Sequence, residues 1–479
     1  MTDHDILPFA VLGIPVCPFT LPETLERIEH FIQAYRKDER PRYIATLNVD
    51  FLVNTHGWLF DKTKSDELLH ILRTADLVTL DGMPLVWFSK ALSAPVQERV
   101  TGVDLVSALA SKMATLHHSL FLLGGDDKVL RLAALYLEAE NPRIKIAGIS
   151  SAQISIHGTA LKEQEKNDQL LIDQINRANP TVLLLNLGHP KQEVWFERVK
   201  ERLKVPVTIG VGGTFNLLTG MVPRAPEKMQ RLGLEWLYRL YQEPGRLLKR
   251  YTLDLIKFPI IAIPPLVYSF PIRHNKEEFL LQDPLLFIAA HQTFSLQQLP
   301  AVLDSIASRE LHRRSEDLLA HEKLVLDFSN VSHISLEGMA WLIQIWLKGR
   351  REGKQVLALS VPASIRAALR LHRVWDLLEI DYCETARHAL EQINYQEQML
   401  GFYDAIDQRA NEIRLTLFGN VDRHVDADDY LEKRGPLLQY KNCLLDLRYC
   451  TYMDNSGQLF IQRLKNYCLS HFSTLEIAR

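Results

Sequence analysis

The sequence predicts an α/β protein: a parallel sheet covered by helices on both faces in the first half, then two smaller α/β modules. Three observations carry this. Through residues 1–250, short apolar runs alternate with amphipathic helical runs, the pattern of a sheet built from βαβ units. After Pro284 that texture ends and a near-repeat begins, LVLDFSNVSHISLEGMAWLI (Leu324–Ile343) against CLLDLRYCTYMDNSGQLFIQ (Cys443–Gln462). In both copies a Gly follows an Asp by eleven positions, Asp327 to Gly338 and Asp446 to Gly457. Finally, 479 residues exceed what one core holds, which is about 250–300 residues.

Composition narrows the class. Hydrophobic residues make up 47% and charged residues 24%, as in ordinary globular domains and unlike disordered or collagen-like chains. Lys and Arg number 55 against 58 Asp and Glu, a net charge of −3, so no basic excess points to nucleic acid. The five Cys form neither a CxxC pair nor a zinc-spaced cluster, which fits a reducing compartment. The N-terminus carries acidic residues before its apolar run and makes a poor signal peptide. The run Phe258–Ile272 is shorter than the roughly 20 apolar residues a spanning helix needs. Its prolines, Pro259, Pro264, Pro265 and Pro271, are expected to break any helix there. The Asp-x-Asp pattern of metal-dependent sugar transferases falls only at Asp3/Asp5 and Asp426/Asp428, away from the strands of the first half. No metal and no cofactor is expected.

The strands are expected at Tyr43–Val49, Leu77–Leu80, Ser119–Leu123, Lys145–Ile149, Val182–Leu187 and Val207–Val211. Helices are expected at Val103–Leu116, Lys128–Glu138, Gln169–Ala178 and Val194–Leu203. Ligands of such sheets bind outside the carboxyl ends of the strands, and several polar motifs fall there. They are TLNVD (Thr46–Asp50), LDGMP (Leu80–Pro84), RVTGVDL (Arg99–Leu105), LGHPKQEVW (Leu187–Trp195), and GVGGTFNLLTG with the following RAP and GLEWLYRLYQEPGRLLKRY (Gly210–Tyr251). Asp81 ends a strand on a tight turn before Gly82, where it reads either as a general base or as a turn-capping Asp. Thr46 and Asn48 alternate along a strand and so share a face. Arg99 reads as a phosphate partner or as an Arg at a helix entry. In the GHPKQE loop, Gly188 allows close backbone approach, Gln192 offers both a donor and an acceptor, and Glu193 caps or orients. GVGGTF lacks the last Gly of the dinucleotide fingerprint and comes late in the domain, so it reads as a turn lining a pocket rather than as a dehydrogenase motif. From Arg224 to Tyr251, seven Arg and Lys stand against three Glu, with Trp, Tyr and Leu between them. That suits a membrane surface or a lipid diphosphate; a solvated basic face is the alternative.

Taken together, these motifs resemble the bacterial WecG/TagA/CpsF glycosyltransferase family over roughly residues 8–255. The resemblance implies a Rossmann-like core with a helical C-terminal appendage that meets the membrane. It implies an inverting, metal-independent transfer of N-acetylmannosamine, its uronic acid or a related sugar. The donor would be a UDP-sugar and the acceptor a polyprenyl-diphosphate-linked saccharide, in surface polysaccharide synthesis. It places the base at Asp81 with Arg99 beside it. Thr46, Asn48, Gly188, Gln192 and Gly212 then contact substrate, and Arg239, Arg246 and Arg250 hold diphosphate.

The two repeats resemble STAS domains, whose loop before a helix reads roughly Asp-Ser-Ser-Gly and carries a phosphorylatable Ser. In the second copy Ser456 maps onto that position; in the first, Glu337 does. Helix capping is the plainer reading of both. The implied partner is a STAS-binding regulatory protein or kinase. The expected organisation is 1–255 for the transferase, 256–283 for a Pro-rich apolar linker, 284–395 for the first STAS-like domain and 400–479 for the second, which looks truncated. The expected location is cytoplasmic, peripheral on the inner face of the bacterial plasma membrane. The rival expectation is a non-catalytic nucleotide-sugar sensor or scaffold that signals through its STAS-like modules.

Overall fold

The computed structural model describes residues 7–55, 63–154, 161–231, 233–269, 285–289, 292–384, 389, 402–409, 412–421, 425–438, 442–471 and 474–478. The chain divides into two compact units, Ile6–Arg273 and one built on His274–Arg479.

The first unit opens with a small antiparallel hairpin, β1 (Phe9–Val11) and β2 (Ile14–Val16), and α1 (Leu21–Asp38). A Thr20–Glu23 capping box starts α1, satisfying amides the first turn would leave unpaired. Then come β3 (Arg42–Leu47), α2 (Val49–Thr55), α3 (Thr63–Thr74), β4 (Leu77–Leu80), α4 (Met83–Ala91) and α5 (Gly102–Thr115). The chain continues through β5 (Ser119–Leu123), α6 (Asp127–Glu140), β6 (Lys145–Ser150), α7 (Leu161–Ala178), β7 (Val182–Leu185), α8 (Lys191–Val199), β8 (Val207–Gly210) and α9 (Thr214–Leu218). An appendage of α10 (Glu227–Arg231), α11 (Glu235–Gln242) and α12 (Pro244–Ser269) completes the unit.

Six strands form one sheet in the order β4-β3-β8-β7-β5-β6, every pair parallel. The VLLL run of β7 is buried throughout, as expected of a strand covered on both faces. Ala45, Gly210 and Leu185 stand in register across three strands, and Leu47 stands opposite Leu80. The residues that follow these strands therefore form a row. After β4 the chain crosses the sheet to β5, and at such a change of direction the carboxyl edge opens into a crevice. Asp81 and Gly102 flank that crossover.

One expectation is corrected. Pro259, Pro264 and Pro265 do not break the apolar run; α12 passes through all three to Ser269. Proline removes one helical hydrogen bond, but it bends rather than ends a helix that tertiary packing holds. Phe258, beside the first proline, packs edge-on against Phe88 of α4 with ring centroids 5.8 Å apart. Leu248, Leu255, Ile256, Ile260, Ile263 and Val267 remain exposed along α12. Among the described residues, no helix is long and apolar enough to cross a membrane.

The second unit holds two modules of one topology. The first contains β9 (Leu285–Ala289), β10 (Gln292–Gln298), β11 (Val302–Leu303), α13 (Ser305–Arg313), α14 (Ser315–Leu318), β12 (Lys323–Asp327), β13 (His333–Ile334), α15 (Leu336–Arg351), β14 (Gln355–Leu359), α16 (Ala363–Leu371), α17 (Trp375–Leu378) and β15 (Tyr382–Cys383). The second contains β16 (Phe402–Arg409), β17 (Glu412–Val421), α18 (Ala427–Leu438), β18 (Asn442–Met453), α19 (Asn455–Ser470) and β19 (Thr474–Ala478). In each, a leading antiparallel strand pairs with the next, which begins a parallel run: β9-β10-β12-β14 and β16-β17-β18-β19. The modules meet through Tyr449, whose hydroxyl donates to the buried Asp327 carboxylate. Burial pushes that phenol well above its ordinary pKa, so it remains a donor.

The Gly of each repeat has a steric reason. A Cβ on Gly338 would stand 2.6 Å from the Leu303 carbonyl oxygen, and one on Gly457 would overlap the Val421 carbonyl. Gly338→Ala is expected to cost about 1–3 kcal/mol and Gly457→Ala more, read as a fall in the urea midpoint of the C-terminal unit.

Candidate active site

Asp81 stands at the end of β4 with its backbone N–H bonded to Leu47 O at 2.7 Å. Its Oδ2 accepts from the Gly102 N–H, the first residue of α5, at 3.4 Å. Gly102 seats that helix close to the β8–α9 turn, since a Cβ there would lie 2.6 Å from Thr214 Oγ1. Burial raises the Asp81 pKa to about 6, against the pull of the Gly102 amide and of the Arg99 and Arg239 charges; Glu235 adds to the rise.

Arg99 pairs with Glu235, the first residue of α11, at 3.0 Å. Arg224 reaches Asp104 at 2.7 Å. The appendage is thus tied to the edge of the sheet beside Asp81. Arg239 on α11 is different: its Nε is buried and makes no hydrogen bond. Arg250 pairs with Asp50, in the first turn of α2, at 3.2 Å. The side chain of Arg246 lies outside the described residues.

A second group of residues surrounds Glu193, whose side chain has no exposure. Its Oε1 accepts from Tyr43 OH at 3.1 Å and from Gln192 Nε2 at 2.8 Å. Its Oε2 faces His189 Nδ1 at 3.2 Å. The other end of the Gln192 amide, Oε1, accepts from the Gly212 N–H at 3.1 Å. Both ends of that side chain are therefore engaged inside the protein. Gly212 is left-handed, with φ of +57°, and a Cβ there would meet nothing within 4 Å. Gly188, with φ of +74°, also faces open space. Gly210 is the opposite case: a Cβ would stand 2.5 Å from both Gln192 Nε2 and Tyr43 OH.

Thr46 is buried and donates to Gly210 O at 3.0 Å, fastening β3 to β8. The strand ends at Leu47, two residues before the expected end, so Asn48 does not continue Thr46's face. Asn48 instead leads into α2, its Oδ1 accepting from the Phe51 N–H at 3.4 Å. Ser456 is exposed at the second position of α19, behind Asp454, whose carboxylate accepts from the Gly457 N–H at 2.8 Å. Of the sequence candidates, Asp81, Arg99 and Arg239 are brought together, as are Gln192 and Gly212; Ser456 belongs to the other unit. Sequence reasoning missed Tyr43, His189, Glu235 and Asp254.

A parallel α/β sheet with an acid and arginines at its carboxyl edge suits transfer onto or from a phosphorylated substrate. Residues 9–267 match the glycosyl transferase WecG/TagA/CpsF family, and the chain belongs to it. It is 30% identical over 245 residues to the N-acetylglucosaminyldiphosphoundecaprenol N-acetyl-beta-D-mannosaminyltransferase of Bacillus subtilis, covering 50% of this chain and 89% of the relative. The enzyme of the same description from Bacillus spizizenii is 27% identical, covering 48% of this chain and 82% of the relative. That from Staphylococcus aureus (strain MW2) is 24% identical, covering 52% and 91%.

Two outcomes follow from the geometry. Gly210→Ala is expected to displace Gln192 and Tyr43 at a cost of about 1–3 kcal/mol, read by urea titration. Asp81→Asn is expected to stabilise the protein. A carboxyl whose folded pKa is raised binds more protons folded than unfolded between about 4 and 6, so its penalty grows as pH rises through that window. The gain is at most about 3 kcal/mol above it. Thermal melts are expected to show a larger rise in Tm at pH 8 than at pH 5.

Proposed function

We propose that this glycosyltransferase moves N-acetylmannosamine, its uronic acid or a related sugar, with inversion, from a UDP donor to a polyprenyl-diphosphate-linked saccharide in bacterial surface polysaccharide synthesis. One observation carries the reading: a carboxyl with a pKa raised to about 6 stands within the field of Arg239, whose buried Nε has no partner. The names of the relatives supply the acceptor class.

In this reading Asp81 takes the proton from the acceptor hydroxyl as its oxygen attacks the anomeric carbon. The bond from that carbon to the diphosphate oxygen breaks on the opposite face, and the leaving UDP carries away the electron pair. A base with pKa near 6 is mostly ionised at pH 7 yet more basic than an ordinary carboxylate, which favours proton transfer. Arg239 and Arg99 offset the charge that develops on the diphosphate, and no step calls on a metal. Gln192 acts through the Gly212 turn that it holds. Thr46 sets the spacing of β3 and β8 behind the sugar, while Asn48 and Gly188 line the entry. Arg250, and Arg246 four residues before it in sequence, are assigned to the lipid side. The exposed apolar face of α12, with the exposed Leu237 and Tyr241 of α11, suits the inner membrane surface where such an acceptor resides. We assign the C-terminal modules as STAS-like docking elements, supported by their shared topology, with exposed Ser456 as the phosphate acceptor for a kinase.

The test is sugar transfer from UDP-N-acetylmannosamine to lipid-linked N-acetylglucosamine. Asp81→Asn is expected to lower kcat about 100- to 10,000-fold, and the wild-type kcat/KM to rise with pH along an acid limb centred near 6. Equal turnover by Asp81→Asn would remove the base assignment. Thermal stabilisation by UDP without any transfer would favour the sensor instead.

A further inference from the structure

Two groups at the carboxyl edge hold hydrogen-bonding capacity that the protein leaves unused. The first is His189, in the turn after β7, whose side chain is 5% exposed. Its ring stacks on Phe51 at a centroid distance of 3.8 Å, which fixes the plane. Its Nδ1 faces the Glu193 carboxylate, which only accepts, so Nδ1 carries a proton and Nε2 is the nitrogen left for another partner. That Nε2 is buried and has no hydrogen-bond partner. Buried polar atoms are rarely left so, and each one calls for an explanation.

The second is Asp254 on α12, 8% exposed. Among the described residues, nothing donates a hydrogen bond to its carboxylate. Arg250, one turn before it on the same helix, is paired with Asp50. The charges that act on Asp254 are Asp50, Arg250, Lys257 and His189, so Asp254 and His189 lie within each other's field. Burial, reinforced by Asp50, raises the Asp254 pKa to about 6, and at neutral pH the group is still mostly a carboxylate.

The chemistry of a ligand follows from these two atoms. The carboxylate accepts, so the ligand must donate to it, and a hydroxyl can pair with the ring nitrogen as well. Asp50, Glu193 and Asp254 outnumber Arg250 and Lys257, so an anion is not favoured. A phosphate belongs instead beside Arg99 and Arg239. A neutral hexose, with several hydroxyl donors and little charge, fits. We propose that His189 Nε2 and the Asp254 carboxylate form a specificity-determining subsite that hydrogen-bonds the hydroxyls of a neutral sugar ring. The subsite rests on the glycosyltransferase reading above, and it extends the row of residues that begins at Asp81.

The sugar is either the donor's hexose or the acceptor's, and calorimetry with the full chain separates them. One arm titrates UDP-N-acetylmannosamine and the other a short-chain lipid-diphosphate-linked N-acetylglucosamine. In the arm whose sugar occupies the subsite, Asp254→Asn and His189→Leu are each expected to raise Kd on the order of 10-fold. His189→Gln, which keeps a hydrogen-bonding amide near the Nε2 position, is expected to restore most of that loss. UDP alone is expected to bind all variants equally. Asp254→Asn is isosteric, so it reports even where His189→Leu does not fold. Changes under about two-fold in both arms, an equal loss with UDP alone, or a wild type that binds neither probe would each overturn the subsite. A wild type that binds the sugars but transfers none would overturn the enzyme reading and leave the subsite standing.

Discussion

A carboxylate removed from water must find its counter-groups within the protein, and Glu193 finds three. Tyr43 comes from β3, Gln192 from the first turn of α8, and His189 from the turn before it. Through Gln192 the same carboxylate reaches the Gly212 amide after β8. One strand and two loops of the crevice are thus fixed relative to one buried charge. Tyr43 contributes as a donor because burial and the neighbouring carboxylate hold its phenol far above the range where it would ionise. Gly210 belongs to the same arrangement, since any side chain there would occupy the space the bonding groups use. The edge of the sheet is therefore preorganised before a ligand arrives, which is what positioning a reaction demands.

Around this fixed point the charges are sorted. Around Asp81 the cations Arg99 and Arg239 outnumber Glu235, whereas around Asp254 and His189 the carboxylates Asp50, Glu193 and Asp254 outnumber Arg250 and Lys257. Such a division matches a substrate with an anionic end and a neutral, hydroxyl-bearing end. It also has a stability cost. Asp81 and Asp254 are both held in surroundings that disfavour their charge, and a chain selected only for stability would replace them with amides. Partly buried carboxylates of this kind are expected where proton transfer or polar recognition is required.

The architecture of the first unit was legible because parallel strands announce themselves. Runs such as VLLL and SLFLL are apolar on both faces, and all six strands of the sheet fall where the alternation puts them. Their ends were less legible. Nothing local says that Asn48 leaves the strand to cap α2, because that depends on the Phe51 amide turning back toward it. The prolines of α12 misled for a related reason: their local effect is real, but the helix, held against α2 and α11, runs on through them. The residues at this edge can be named singly from the sequence but not joined into a network. Tyr43 and Glu193 are 150 positions apart, and Arg99 and Glu235 are 136 apart. A buried Glu and a surface Glu look alike in a sequence, so only the folded sheet reveals which one organises the rest.

The same limit governs the repeats. Each copy of the shared Asp-to-Gly spacing runs from a parallel strand to the first turn of a helix, yet the loops behave differently at the position where they differ. In the first module Glu337 turns back to the helix cap, its Oε2 accepting from Ser335 Oγ at 2.7 Å while that oxygen accepts from the Gly338 N–H at 3.2 Å. Its carboxylate is consumed in closing the helix N-terminus and does not stand free as a phosphate mimic. In the second module Asp454 performs the capping alone, which leaves Ser456 outside the cap and exposed. A negative group added there would sit at the positive end of a sixteen-residue helix, where it is electrostatically favoured, though Asp454 already occupies the nearest amide. The two modules thus share a fold but not a capacity for change: one loop is closed on itself, and the other keeps a hydroxyl in water at the place where added charge would be felt most.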